Sequence, residues 1–321
     1  MQVMFIDAQQ IKLLTSGKSS SLRGLSVVSD RIIWVSGSGG SVGLSTDSGK
    51  SWKWNLVIGY EKSDFRDIEA FSDKEAVIMG ITEPVVMLRT TDAGNNWTVA
   101  FKDTTKSAFL DAMCFSADHA VAVGDPLNGE SYILKSNDRG KNWYRYRNSE
   151  TDSMRSGEAF FASSGTNIQF VPGLGYAMVS GGKKSRLFVN SFSYTLSINQ
   201  GGETTGANSI AINPANPNQA FIVGGDFSHD TLRFNNSLQI QFSPFMQKSP
   251  VTPPHGYRSC VEYMNEKQMI SCGTSGVDMS YDGGMNWILI SDKSFHVCRK
   301  AKTGRSVFLA GAKGAIARVV F

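Results

Sequence analysis

The chain has 321 residues, 41% of them hydrophobic, enough for a substantial core and long enough for two domains unless the fold is a repeat that continues as one unit. Thirty-two basic and twenty-eight acidic residues give a formal charge of +4, and their scatter, without any basic run, argues against nucleic acid or an anionic membrane as partner. No apolar run approaches the roughly 18 residues that a membrane helix needs, so no membrane span is expected.

The N-terminus, MQVMFIDAQQ, has an apolar run of only four residues (3–6). That is shorter than the roughly 7–15 of a secretory core, so the chain is either cytoplasmic or begins after a removed signal. A strand is predicted within residues 3–14, VMFIDAQQIKLL. Next come a strand-like run, LSVV (25–28), and an apolar strand ending in glycine, IIWVSG (32–37). A third strand leads into the octet STDSGKSW (45–52), and a fourth starts at its tryptophan, WKWNLVI (52–58).

This unit then recurs. The glycine-ended strand returns as AVIMG (76–80), AVAVG (120–124), YAMVSG (176–181), AFIVGG (220–225), MISCG (269–273) and VFLAG (307–311), which makes seven copies. The octet returns as TTDAGNNW (90–97), SNDRGKNW (136–143) and SYDGGMNW (280–287). Asp47 to Asp92 is 45 residues, Asp92 to Asp138 is 46, and Asp138 to Asp282 is 144, or three steps of 48. Two intervening repeats have therefore lost the octet. Four short strands per repeat, with almost no helical periodicity, predict an all-β fold: a seven-bladed β-propeller of four-stranded blades occupying residues 1–321 as a single domain. The last repeat stops after its third strand, AIARVVF (315–321), so the N-terminal strand is expected to complete that blade and close the ring.

In the octet, the aspartate is expected to accept backbone N–H bonds in a turn between the third and fourth strands. Glycine supplies a positive φ, and tryptophan packs between sheets. Asp47, Asp92, Asp138 and Asp282 are accordingly assigned to scaffold. The four cysteines, Cys114, Cys260, Cys272 and Cys298, lie in apolar strand contexts without CxxC spacing and are expected as buried free thiols.

Candidate ligand residues come from the entries to the innermost strands, LRG (22–24), FRD (65–67), FLD (109–111), GAN (206–208), GYRS (256–259) and SFH (294–296). The fourth repeat is longer than the rest, which predicts an insertion around GEAFFASSGTN (157–167) near the same mouth. Together these point Arg23, Arg66, Asp67, Asp111, Glu158, Asn208, Arg258 and His296 toward one central opening. Such a mixed set suits a polar ligand, or else the residues cap the channel by pairing with one another. Loops after the glycine-ended strands add Asp226, His229, Asp230 and His255, but no HxxxH or HExxH spacing supports a metal, and none is expected. GSGGSVG (37–43) has Val42 where a dinucleotide fingerprint needs its third glycine and is followed by a strand, so it reads as a turn. ASSG (162–165) lacks the GxSxG elbow.

On the four octets and the strand-plus-glycine pattern, as in DAMCFSADHAVAVGDP (111–126), the chain resembles the BNR or Asp-box propellers of YCF48 type, the group of photosystem II stability and assembly factors. Stretches such as SGEAFFASSGTN, GANSIA, HGYRSCVEY and SFHVCRKA look closest to a bacterial exported branch, Bacteroidota-like in style, some of whose members carry an oxidoreductase name. The resemblance implies export to the periplasm or beyond, although no signal is visible. No CxxC, haem or cofactor motif supports redox chemistry, and no cofactor is expected.

Two functions compete. The favoured one is a non-enzymatic, monomeric scaffold that binds a protein partner or a polar small molecule or glycan at the charged mouth. The alternative is a sialidase-like glycoside hydrolase or lyase using Asp67, Asp111 and Glu158 as catalytic carboxylates, with Arg23, Arg66, Arg258 and Tyr257 as candidates for the arginine triad and tyrosine. The Arg-Ile-Pro stretch of sialidases is missing, and such octets travel with the fold more readily than with the chemistry.

Overall fold

The computed structural model describes residues 10–81, 84–147 and 153–320. These residues form seven antiparallel sheets arranged as the blades of a ring. The blades begin at Leu22, Phe65, Ala112, Ile168, Thr205, Cys260 and Val297. Within each blade the strands follow one another as a meander. The second strands, such as Ile33–Gly37, Ala76–Gly80 and Met269–Gly273, are buried along their whole length because adjacent blades cover both faces. Their continuous apolar runs follow from that double burial. Fourth strands such as Lys53–Leu56 and Thr98–Asp103 lie on the outside and are largely exposed.

The ring closes as the sequence predicts. Gln10–Thr15 pairs antiparallel with Ile316–Val320, with Gln10 opposite Val320 and Lys12 opposite Arg318. The predicted strand within residues 3–14 thus begins at Gln10 among the described residues and extends to Thr15; its earlier part lies outside them. With this pairing the seventh blade has four strands, and the outer edge of Ile316–Val320 is covered. The one helical element among the described residues is a single 3-10 turn, Ala312–Gly314.

The recurring glycine has a steric cause. A Cβ at Gly124 would stand 1.8 Å from the carbonyl oxygen of Phe109, at Gly224 1.9 Å from that of Gly206, and at Gly273 2.2 Å from that of Tyr257. At each place the chain entering a blade passes directly over the end of that blade's second strand, and only a residue without a side chain leaves room.

The octet forms one turn four times. Ser45 Oγ donates to Asp47 Oδ1 and accepts from Gly49 N, while Asp47 Oδ1 accepts from Ser51 N, each at 2.9 Å. The same bonds recur at Asp92 with Thr90 and Asn96, at Asp138 with Ser136 and Asn142, and at Asp282 with Ser280 and Asn286. Two successive residues take positive φ in each turn, for example Arg139 at 62° and Gly140 at 75°. The tryptophans then pack between blades; Trp287 stands 5.4 Å from Phe221 of the preceding blade and is buried. In a meander, the turns between third and fourth strands lie on the face opposite the entries to the first strands. The acidic turns therefore sit far from the mouth. Removing one side chain, Asp282→Ala, is expected to cost about 1 kcal/mol, at the low end for a charged acceptor because the group is exposed. Denaturation midpoints would check this, and binding at the mouth should not change.

The four cysteines are buried free thiols, with Cys260 Sγ directed 3.3 Å from the carbonyl oxygen of Cys298.

Candidate functional site

The central channel is crossed by the segment 160–167, part of the long connection between the third and fourth blades. Its contacts reach around the ring. Arg23 Nη1 of the first blade donates to Ser163 O at 3.1 Å, and Arg66 Nη1 of the second to Ala162 O at 3.5 Å. Ser164 Oγ donates to Ser259 O at 2.7 Å, Thr166 Oγ1 to Ser209 Oγ at 2.7 Å, and Arg299 Nη2 of the seventh blade to Gly165 O at 3.3 Å. The insertion predicted near the mouth is thus a plug within the channel, anchored by Glu158–Ala159 pairing with Gly181–Gly182.

Above the plug lies a half-open cavity of about 360 Å³. Arg23, Arg66, Asp111 and His296 line it, so four members of the predicted column share one cavity. Strand register explains how: the pairing slips between Leu22 and Gly24 and between Phe65 and Asp67, which places Arg23 and Arg66 at bulges that turn their side chains inward. The second strand of the third blade, His119–Leu127, adds Asp125, the loops after second strands add Phe227 and Thr274, and the plug adds Phe160, Phe161 and Ser163.

The other four predicted residues stand outside this cavity. Glu158 is buried and forked to Arg186, whose Nε lies 2.9 and 3.1 Å from its two oxygens. Arg258 is fully buried and donates through Nε to Asp278 Oδ2 at 2.6 Å; its neighbour Tyr257 faces the cavity instead. Asp67 is buried under the plug, where its oxygens accept from Ile68 N and Met113 N, both at 2.8 Å. Burial raises its carboxyl to about 7 despite Arg299 nearby. Asn208 lies beneath the floor and accepts from Ser163 Oγ at 2.8 Å and Tyr257 OH at 2.9 Å. The three carboxylates considered for catalysis therefore do not converge: Asp111 alone among them lines the cavity.

Asp111 differs from every paired charge around it. It is 1% exposed, and among the described residues neither of its oxygens has a hydrogen bond of good geometry, although the backbone N–H groups of Asp125 and Ala162 lie near enough to favour the carboxylate. Burial, with repulsion from Asp125, pushes its carboxyl well above the usual range, against the pull of Arg66. Asp125 is also shifted up by burial, and its Oδ1 accepts from Phe160 N at 2.9 Å. Arg66 is engaged by Asp64 at 2.8 Å, whereas Arg23 makes no ion pair among the described residues. His296 is held neutral, lowered to about 4 by burial and then by Arg23, with Nδ1 3.0 Å from Leu22 O. Asp125 escapes the sequence column because it lies near the end of a second strand, His119–Leu127, and not at the entry to a first. The GDP run at 124–126 is nonetheless a signal, since loops after glycine-ended strands open on this face.

The histidines and aspartates of the second cluster form separate pairs, His229 with Asp226 at 2.8 Å and His255 with Asp278 at 2.6 Å. Among the described residues no group of three His, Cys, Asp or Glu side chains is placed to hold a metal ion.

Below the plug a second cavity of about 200 Å³ is lined by Glu69, Glu262, Arg299, Lys300 and Lys302 among others. Burial raises Glu262 to about 7, although Arg299 Nη1 lies 3.5 Å from it. Because the folded value exceeds the unfolded one, the stability this group contributes is full below about pH 4.5 and is lost as pH rises toward 7. Glu262→Gln is therefore expected to gain on wild type by about 1–3 kcal/mol across that interval, read from urea midpoints of the two proteins at each pH.

No family model matches the chain, and no curated protein sequence matches it. Among solved structures the chain is similar to YCF48 bound to D1 peptide, with 17% identity and a TM-score of 0.67 over 99% of this chain and 96% of that one. It is also similar to YCF48 from Cyanidioschyzon merolae, with 16% identity and a TM-score of 0.65 over 97% and 98% of the two chains. The WD40 β-propeller domain of Doa1 superposes with a TM-score of 0.65 at 11% identity, over 97% of each chain. At these identities the likeness establishes the seven-bladed propeller. No helix among the described residues is long and apolar enough to cross a membrane.

Proposed function

We propose that the chain is a non-enzymatic propeller scaffold that takes a segment of a protein partner, or a polar ligand, into the cavity above the plug. The observation that carries this reading is Asp111, a buried carboxyl facing a half-open cavity without a well-formed hydrogen bond from the protein. A carboxyl that served only to cap the channel would be paired, as Glu158 and Asp278 are. The rim favours a macromolecular guest over a small one. Leu232 and Phe234, on the loop that also carries Phe227 to the cavity, are 50% and 75% exposed, so apolar surface continues outward from the mouth. The YCF48 structure with a bound D1 peptide supports a peptide segment as the guest of a propeller of this shape.

A second reading has one observation in its favour: Asp111 and Asp125 are neighbouring carboxyls, both shifted up, as acid and base pairs in glycosidases are. The test is a peptide-library selection on wild type and on Thr274→Trp, a rim position that is exposed, alongside a panel of glycosidic substrates. Peptides selected by wild type are expected to bind Thr274→Trp at least tenfold more weakly, with no turnover of any glycoside. Equal binding by both proteins would remove the mouth from the proposal. Turnover abolished by Asp111→Asn would replace scaffold with hydrolase.

A further inference from the structure

Resting on the binding reading above, we infer that the guest presents a primary ammonium group, received by Asp111 beside Asp125 and walled by the rings of Phe161, Phe227 and Tyr257. The missing element at Asp111 is a donor. Two buried carboxyl oxygens without a well-formed hydrogen bond are costly, the backbone N–H groups of Asp125 and Ala162 offset only part of that cost, and a guest that brings further N–H groups relieves the rest.

The charges around the cavity select among donors. Arg66 is committed to Asp64 and to the plug carbonyl of Ala162, and Arg23 to the carbonyl of Ser163, so neither neutralises Asp111 by contact. Asp125 adds a second acidic group on the neighbouring strand, and its Oδ1 is held by Phe160 N. A cationic guest at this end favours ionisation of the two carboxyls, whereas an anionic one would hold them protonated. The walls favour a cation as well. Phe161 and Phe227 stand edge to face at 5.9 Å and 90°, and Phe227 and Tyr257 at 6.1 Å and 72°, so ring faces border the same space. Cations are attracted to such faces, more strongly where water is excluded. The cavity is shared with two guanidinium groups, and a compact ammonium with three donors takes up less of it than a third guanidinium would.

Binding would also move a proton. With Asp111 empty, burial and Asp125 oppose ionisation, while Arg66 favours it. Arg23, His296 and Tyr257 also face the cavity; His296 stays neutral and Tyr257 is pushed up to about 12, so neither supplies a compensating charge near neutral pH. An arriving ammonium stabilises the carboxylate, and the displaced proton leaves to solvent.

Two sources carry this chemistry, a lysine side chain of a partner and a free amine. Calorimetry with Nα-acetyl-lysine methylamide and with phenethylamine separates them, and the Nε-acetylated and N-acetylated counterparts serve as uncharged controls. Either amine is expected to bind wild type, its acetylated counterpart at least tenfold more weakly. Up to one proton should be released, read from the enthalpy in two buffers of different ionisation heat. Asp111→Asn should lose at least tenfold in affinity for the amine, and Thr274→Trp, which leaves the carboxyls untouched, should exclude it. Binding of neither amine, or equal binding of amine and acetylated control, overturns the inference. If selected peptides still bind the mouth of wild type in that case, the scaffold reading stands and only the ammonium is lost; if they do not, both fall.

Discussion

Asp278→Ala is expected to destabilise the protein by about 3–5 kcal/mol, the range for removing one partner of a buried ion pair. Arg258 and Asp278 are both fully buried. The guanidinium donates through Nε to Asp278 Oδ2 at 2.6 Å, and through Nη1 to Tyr257 O and Ser275 Oγ, each at 2.8 Å. The carboxylate also holds His255, whose Nδ1 lies 2.6 Å from Oδ1. Taking away the carboxylate leaves a charge that cannot shed its proton, surrounded by neutral acceptors and with no route to water. Burial of an uncompensated guanidinium dominates every smaller term, including the lost methylene packing. The double variant Arg258→Met with Asp278→Leu removes both charges, and it should lose less than Asp278→Ala alone. Urea denaturation of the three proteins checks both statements. A loss under about 1 kcal/mol for Asp278→Ala would mean that water reaches Arg258, and the pair would then be a weak surface contact.

That pair also shows where sequence reasoning reaches its limit. The propeller is legible because its signals are local: an octet whose serine, aspartate and glycine bond to one another within five residues, and a glycine required wherever the incoming chain crosses a second strand. The count of seven and the closing strand follow from spacing alone. Half of the candidate site is equally legible, since Arg23, Arg66, Asp111 and His296 share one place in the repeat and do line the cavity. Arg258 and Glu158 share that place or lie beside it, yet their fates depend on Asp278 and Arg186, 20 and 28 residues away. Nothing local distinguishes a guanidinium that reaches a ligand from one that turns back to its own third strand. Bulges decide the matter for Arg23 and Arg66, and a bulge is a property of pairing rather than of composition. The sequence places the insertion near the mouth but not its rings: the path of Phe160 and Phe161 across the axis is set by contacts to five blades.

The plug makes the last prediction. Gly165→Ala is expected to cost about 2–4 kcal/mol, from two sources that add. Gly165 has φ +66°, where an L side chain is disfavoured, and its new Cβ would lie 2.3 Å from Asp67 Cγ and 2.5 Å from each carboxyl oxygen. Asp67 has no room to yield, because Ile68 N and Met113 N fix one oxygen each. Either the plug lifts, breaking the bond from Arg299 to Gly165 O, or Asp67 abandons two buried backbone donors. The remedy is specific. In Gly165→Ala with Asp67→Ala the methyl occupies space that the carboxyl has vacated, so the combined loss should fall short of the sum of the two single losses by 1 kcal/mol or more, about the coupling expected for residues in contact. Midpoints of chemical denaturation for the four proteins of that cycle give the answer directly. The Gly165→Ala variant should also bind mouth ligands more weakly than wild type, because the segment that lifts is the one carrying Phe161 and Ser163 into the cavity. Additive losses, with ligand binding unchanged, would mean that the plug accommodates the methyl without moving, and that the cavity floor is independent of the packing beneath it.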